Sequence, residues 1–330
     1  LENERVSYYV VTGAAGFIGS RLVAGLNRRG VRDIIVVDNL QQSAKFTNLV
    51  GCDIADYVDQ SRFFSALERL EGSVEAVFHQ GACSDTMESD GRFMMENNYE
   101  YSRRLLDWCQ DEDVPFIYAS SASVYGAGPD FREDRKCEKP LNVYGYSKFL
   151  FDQHVRNVLE GKTSQVAGLR YFNVYGPNET HKGRMASVAL HAFQQLHMEG
   201  KVKLFVGSTG YGDGEQRRDF VYVDDVVAVN LWLLERRDVS GVFNCGTGRA
   251  QTFNRLAVAV INAVNRSNLT LHEIVAKGLI EYVPFPPALI GKYQSFTEAD
   301  MSRLRAVGYP GEFMNVEQGV AAYVKELQGK

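Results

Sequence analysis

Long hydrophobic runs, blocks of basic charge and paired cysteines are all missing from this 330-residue chain. No apolar stretch approaches the roughly 18 residues of a membrane span. The N-terminus carries no signal-peptide pattern, so the expectation is a soluble, cytoplasmic protein with no membrane partner. Net charge is −5 with no basic block, which argues against the concentrated positive face that nucleic acid needs. The cysteines (Cys52, Cys83, Cys109, Cys137, Cys245) are odd in number and far apart, with no Cys-x-x-Cys pair. A disulfide framework and a zinc site are therefore not expected, and a reducing compartment is. The histidines (His79, His154, His181, His191, His197, His272) form no ligand spacing with acids or cysteines, so no metal site is expected. Internal repeats and low-complexity linkers are absent too.

What is present is a globular mixture. The 45% hydrophobic and 23% charged fractions exclude disordered and fibrous classes. Short apolar runs at residues 8–12, 34–38, 75–79, 115–120 and 166–170 read as strands. Helical patterns at 18–29, 62–70, 93–111 and 144–159 alternate with them. This cadence predicts right-handed crossovers and an α/β fold, a Rossmann-type doubly wound parallel sheet. Beyond residue 173 the rhythm loosens. Helices are expected at 187–197, 224–235 and 252–264 and strands at 221–223 and 242–244, and the tail segments 280–283, 297–307 and 315–327 read as mixed α+β with a proline turn at 284–287. Two units follow: 1–173 plus about 222–248 as a dinucleotide-binding domain, and about 174–221 plus 249–330 as a smaller mixed α/β substrate lobe.

The segment Thr12-Gly13-Ala14-Ala15-Gly16-Phe17-Ile18-Gly19 sets three glycines between a strand and a helix. Glycine allows a tight turn and lets a pyrophosphate approach the free N–H groups and dipole of the helix. A glycine triplet also fits an ordinary βα turn. Asp38, ending the second strand 19 residues after Gly19, stands where a carboxylate takes the adenosine ribose, and decides for dinucleotide binding. An acid there favours NAD. Lys45 reads either as a solvated lysine or as the partner of the 2′-phosphate of NADP.

Tyr144-Gly145-Tyr146-Ser147-Lys148 opens a helix, and residues four apart share one face. A nearby ammonium favours the phenolate, so Lys148 with the positive nicotinamide is expected to lower the Tyr144 pKa and let it exchange a proton with a carbinol. Such a pair arises by chance in many helices. Its setting adds weight: Ser120-Ser121-Ala122-Ser123 ends a strand 23 residues upstream of the tyrosine.

In this order these motifs resemble the extended short-chain dehydrogenase/reductase family, which joins a Rossmann domain to a lobe for nucleotide sugars. Longer runs, Phe78-His79-Gln80-Gly81-Ala82-Cys83-Ser84, Arg170-Tyr171-Phe172-Asn173-Val174-Tyr175-Gly176-Pro177 and His181-Lys182-Gly183-Arg184-Met185-Ala186-Ser187, resemble its branch of ADP-heptose 6-epimerases from about Tyr8 to the C-terminus. The resemblance implies tightly bound NADP in preference to NAD and inversion of C6″ of an ADP-heptose for the lipopolysaccharide inner core. It further implies a homo-oligomer, a homopentamer in that branch. It implies Gly13, Gly16, Phe17, Ile18, Gly19, Asp38, Asn39, Lys45, Gln80, Gly81, Ala82, Cys83, Ser84, Asn97, Lys148, Val174 and Lys182 at the cofactor. Asn173, Arg184, His191, Phe205, Val206, Gly207, Ser208, Arg218 and Tyr293 are implied at the substrate, with Arg218 suited to phosphates.

Inverting one carbon with one cofactor places the carbinol oxygen differently in the two epimers, so two acid/base groups are useful. The resemblance assigns them to Tyr144 and Lys182, with Ser121 and Lys148 assisting. By themselves, Lys182 reads as a solvated charge and His191 as a packed helix residue. Gln60 in place of a lysine, Arg184 in place of a small residue and the loop 207–216 depart from some members. Competing readings are another nucleotide-sugar epimerase or reductase of this family, a 4,6-dehydratase, and a non-catalytic dinucleotide sensor. Ser121-Ala122-Ser123 lacks the acidic pair of a dehydratase. The Tyr144–Lys148 pair argues against a sensor.

Overall fold

A computed structural model describes residues 7–208, 210–285 and 294–329. In chain order the first part comprises β1 (Tyr8–Thr12), α1 (Phe17–Arg28), β2 (Ile34–Asp38), β3 (Asp56–Asp59), α2 (Phe63–Leu67), β4 (Val74–His79), α3 (Gly91–Met95), α4 (Tyr101–Asp111), β5 (Phe116–Ser121), α5 (Val143–Val158) and β6 (Val166–Tyr171). Then follow β7 (Asn173–Tyr175), α6 (Val188–Glu199), β8 (Val202–Phe205), β9 (Arg217–Tyr222), α7 (Val223–Glu235), β10 (Gly241–Cys245), β11 (Ala250–Thr252), α8 (Phe253–Asn265), α9 (Leu271–Ala276), β12 (Ile280–Val283), α10 (Ser302–Ala306) and α11 (Val316–Gln328).

Seven strands form one parallel sheet in the order β10-β6-β5-β4-β1-β2-β3. Helices cover both faces, so its central strands are buried on both sides and read as apolar runs; all five residues of β2 are buried. The expected Rossmann-type sheet is the one observed. The order reverses between β1 and β4, and a ligand crevice opens beyond the strand ends at such a switch point. A smaller sheet, β11-β9-β7, and the pair β12-β8 carry the remaining strands. Their core packs α6, α8 and α11 together through Leu190, Leu256, Val260 and Val320.

Several elements differ from expectation. The strand expected at 221–223 runs from Arg217 to Tyr222, and α7 starts at Val223 with no side-chain cap. Asp224 instead binds Arg21 of α1 through a bidentate ion pair of 2.8 and 2.9 Å. Within the tail segment 297–307 the helix is α10 alone. Leu304, Tyr309 and Phe313 pack into the core of the large sheet with Phe243 and Leu169. Residues 286 and 287 of the expected proline turn lie outside the described residues.

Candidate active site

Beyond the ends of the central strands lies a cleft of about 1180 Å³. One wall is the β1–α1 turn. Gly13 has φ +64, and a Cβ on it would lie 2.6 Å from the Cα of Gly81; a Cβ on Gly19 would lie 2.2 Å from the carbonyl oxygen of Gly13. Glycine is therefore required where this turn closes against α1 and the β4 loop. No side chain caps α1 at Gly16, and its first turn holds no acid. Its N-terminal N–H groups face the cleft, a cradle suited to a pyrophosphate.

Asp38 closes the far end. Its Oδ2 accepts the Ala15 N–H at 3.0 Å, and its Oδ1 accepts those of Asn39 at 2.8 Å and Leu40 at 3.3 Å, together with the Lys45 ammonium. The carboxylate is thus largely saturated and its charge is balanced. Arg104, stacked 3.8 Å over the Phe64 ring, lines the same end. Gln60, one of the departures, bridges Asn39 and Asn97 at 3.4 and 3.0 Å.

At the other end Ser121 ends β5 and Tyr144 opens α5, whose N-terminus is capped by Asn142 Oδ1 accepting the Gly145 N–H at 2.8 Å. Ser121 acts to lower the pKa of the Tyr144 phenol, yet burial dominates and raises it above its ordinary value. The expected lowering invokes Lys148 together with the positive nicotinamide. Lys148 donates instead to the Ala119 carbonyl at 2.8 Å. Burial pushes its own pKa down to about 8, against the attraction of Asp152.

Lys182 enters from two short 3₁₀ turns (Thr180–Met185) that meet at a kink where Gly183 takes φ 52. Its Nζ sits 5.3 Å from the centre of the Phe17 ring. Burial lowers its pKa, opposed by Glu179. Burial therefore separates the two groups in acidity, making the phenol the weaker acid and the ammonium the stronger one.

All the residues expected to act in catalysis or at the cofactor line this one cleft. Of the expected substrate residues, Arg184 alone does so among the described residues, and its Nη2 binds Asp85 Oδ2 at 2.7 Å. The other described ones lie outside the lining of this cleft. Asn173 accepts from Thr297 Oγ1 at 3.3 Å, His191 is half-buried on α6, and Arg218 is buried over the Phe253 ring. Phe205 and Val206 continue β8 into the loop where Gly207 donates to Asp213 at 2.7 Å and Ser208 accepts from Gln216 at 3.3 Å. Tyr293 lies outside the described residues.

Sequence reasoning missed the supports beneath the cleft. A π-helical turn (Glu96–Glu100) between α3 and α4 aims Asn98 inward. Asn98 binds the Cys83 N–H and C=O at 2.8 and 2.9 Å and Ser147 Oγ at 3.2 Å. Asp152, one turn beyond Lys148, accepts from Tyr118, Ser120 and Arg170 at 2.8–2.9 Å, all fully or nearly fully buried. Their signals were a four-residue spacing from Lys148 and an Asn-Asn pair, neither distinctive alone.

A parallel sheet with a glycine turn at its switch point, an acid ending β2 and a tyrosine–lysine helix defines a dinucleotide-dependent enzyme acting on a carbinol. The chain belongs to the NAD dependent epimerase/dehydratase family, whose model matches residues 9–246. This agrees with the resemblance read from the motifs. The chain is 61% identical over 326 residues, 97% of its own length and 98% of the relative's, to an ADP-L-glycero-D-manno-heptose-6-epimerase of Thiobacillus denitrificans. The crystal structure of the Helicobacter pylori ADP-L-glycero-D-manno-heptose-6-epimerase matches with a TM-score of 0.81 at 29% identity, covering 100% of this chain and 99% of that one. A UDP-glucose 4-epimerase of Thermus thermophilus, solved with NAD, matches with a TM-score of 0.76 at 26% identity over 98% and 99% of the two chains. The chain is a nucleotide-sugar epimerase of this family.

Proposed function

We propose that this protein interconverts ADP-D-glycero- and ADP-L-glycero-β-D-manno-heptose, supplying heptose for the lipopolysaccharide inner core. The observation that carries the reading is the placement of Tyr144 and Lys182, from different parts of the chain, in the same cleft as the glycine turn. When bound, the nicotinamide accepts a hydride from C6″ and returns it. The chain supplies the rest. One of the two groups takes the hydroxyl proton as the 6″-ketone forms, and the other delivers a proton after the ketone has presented its opposite face. Ser121, which acts on the Tyr144 phenol and lines the same cleft, is the proposed group that orients it. Arg218 and the loop around Gly207 and Ser208 are the proposed holders of the ADP-sugar, with Asn173, His191 and Tyr293.

NADP is the proposed cofactor. Asp38 already accepts three backbone N–H groups and pairs with Lys45, which leaves little capacity for two ribose hydroxyls and supports Lys45 as the proposed partner of a 2′-phosphate. The active form is proposed to be a cytoplasmic homo-oligomer, by likeness to the ADP-heptose branch, with residues 1–173 and about 222–248 forming the dinucleotide domain. Replacing Lys182 by Ala and, separately, Tyr144 by Phe tests the two-base chemistry. Both variants are expected to retain nucleotide and to lose most epimerase activity. Near-normal turnover by either contradicts it.

A further inference from the structure

Glu179 has no exposed surface and no part in the chemistry above, yet it is a carboxylate. Its Oε1 accepts the Gly176 N–H at 3.2 Å and Ser187 Oγ at 2.6 Å, and its Oε2 accepts the Ser187 N–H at 2.6 Å. Its own carbonyl accepts the Lys182 N–H at 2.9 Å. Gly176 ends the stretch after β7 and Ser187 caps α6, so one side chain ties together both ends of residues 176–187. Lys182 stands in the middle of that stretch. A buried carboxylate costs several kcal/mol unless its lone pairs are met, and here they are met by the two ends of the turn.

We propose that Glu179 is a positioning residue for Lys182, its buried carboxylate clasping both ends of the turn that carries the lysine. The proposal rests on the reading of Lys182 as the second acid/base group. Glu179 is also the negative charge that acts on that ammonium against its burial. The other groups nearby are His181 on the same turn, Lys45 and Asp38 on the β2 side, which face His181, and Tyr323 of α11, which faces Glu179. From α1 the uncharged Phe17 ring faces Lys182.

The test compares Glu179→Gln, Ser187→Ala and Lys182→Ala as purified proteins with their nucleotide bound, measuring kcat, KM and the pH profile of epimerisation. Glu179→Gln is expected to lower kcat about tenfold to hundredfold, as misplacement of a catalytic group does, with KM little changed. It is also expected to move the limb that belongs to Lys182 to lower pH, because a stabilising negative charge is gone. Ser187→Ala cuts one leg of the clasp without changing charge. It should lower kcat less, leave that limb in place and serve as the deciding variant if Glu179→Gln does not fold. Wild-type kcat and pH profile in Glu179→Gln, or unchanged kcat in Ser187→Ala when that variant decides, with Lys182→Ala inactive, overturn the positioning role alone. An active Lys182→Ala overturns the reading beneath it.

Discussion

Lowering the pH challenges one residue beneath the cleft above all. His79 is 2% exposed at the end of β4 and is held between Thr12 Oγ1 at 2.6 Å and Ser102 Oγ at 2.8 Å. Ser102 gives its proton to the Asn98 carbonyl at 2.6 Å, so its oxygen accepts from His79 Nε2. That leaves Nδ1 unprotonated, to accept from Thr12, whose oxygen in turn accepts the Gly81 N–H at 3.2 Å. A second ring proton has no acceptor, and burial with the nearby Lys148 pushes the pKa down to about 3. The unfolded chain protonates near pH ~6.5 and the folded one does not, so stability falls as pH falls through the window from about 6.5 to about 3. Each unit in that window is worth about 1.4 kcal/mol, which gives about 2 kcal/mol lost between pH ~7.5 and ~5. Guanidinium unfolding of wild type and His79→Gln at both pH values isolates the term. Wild type should lose about 2 kcal/mol more than the variant over that interval, although the variant starts less stable. Equal losses would refute the neutral, locked imidazole.

A Cβ at Gly19 meets the Gly13 carbonyl at 2.2 Å, so Gly19→Ala should displace the turn and weaken nucleotide binding by about tenfold to hundredfold, a strain of about 1–3 kcal/mol; nucleotide retained by the folded variant is the measurement. Asp152→Asn removes the charge that supports the Lys148 ammonium. The lysine then loses its proton at lower pH, and activity should fall off on the alkaline side earlier than in wild type, as a pH–rate profile will report. Lys45→Ala leaves Asp38 without its cation. It should reduce NADP affinity by about tenfold or more while affecting NAD far less, as competitive titration of the two nucleotides will show.

The strands that build the cleft were legible because a parallel sheet buried on both faces leaves apolar runs such as Ile34-Ile35-Val36-Val37 between polar punctuation. Edge strand β3 was not, since Asp56 and Tyr57 are exposed and Asp59 only half-buried, so no apolar pattern marks them. Helix α9 was missed although Thr270 and Glu273 form a capping box, a signal readable in the sequence. Most of the residues that line the cleft were legible because they sit in contiguous motifs. Glu179 and Arg170 were not assigned roles, because their importance comes from partners up to 8 and up to 45 positions away, which local spacing does not display. The lowering of the Tyr144 pKa was expected from the i,i+4 ammonium together with the positive nicotinamide. Sharing a helix face does not place the ammonium on the phenol when a backbone carbonyl, that of Ala119, takes it first.

The most direct measurement incubates the purified protein, with no added cofactor, with ADP-D-glycero-D-manno-heptose. The C6″ epimers are resolved by chromatography while the absorbance of reduced nicotinamide is followed in the same cuvette. The account predicts conversion to the L-glycero epimer with no net change in reduced cofactor. Nucleotide-loaded protein that leaves the epimer ratio unchanged, or that accumulates reduced cofactor in step with substrate consumed, contradicts it.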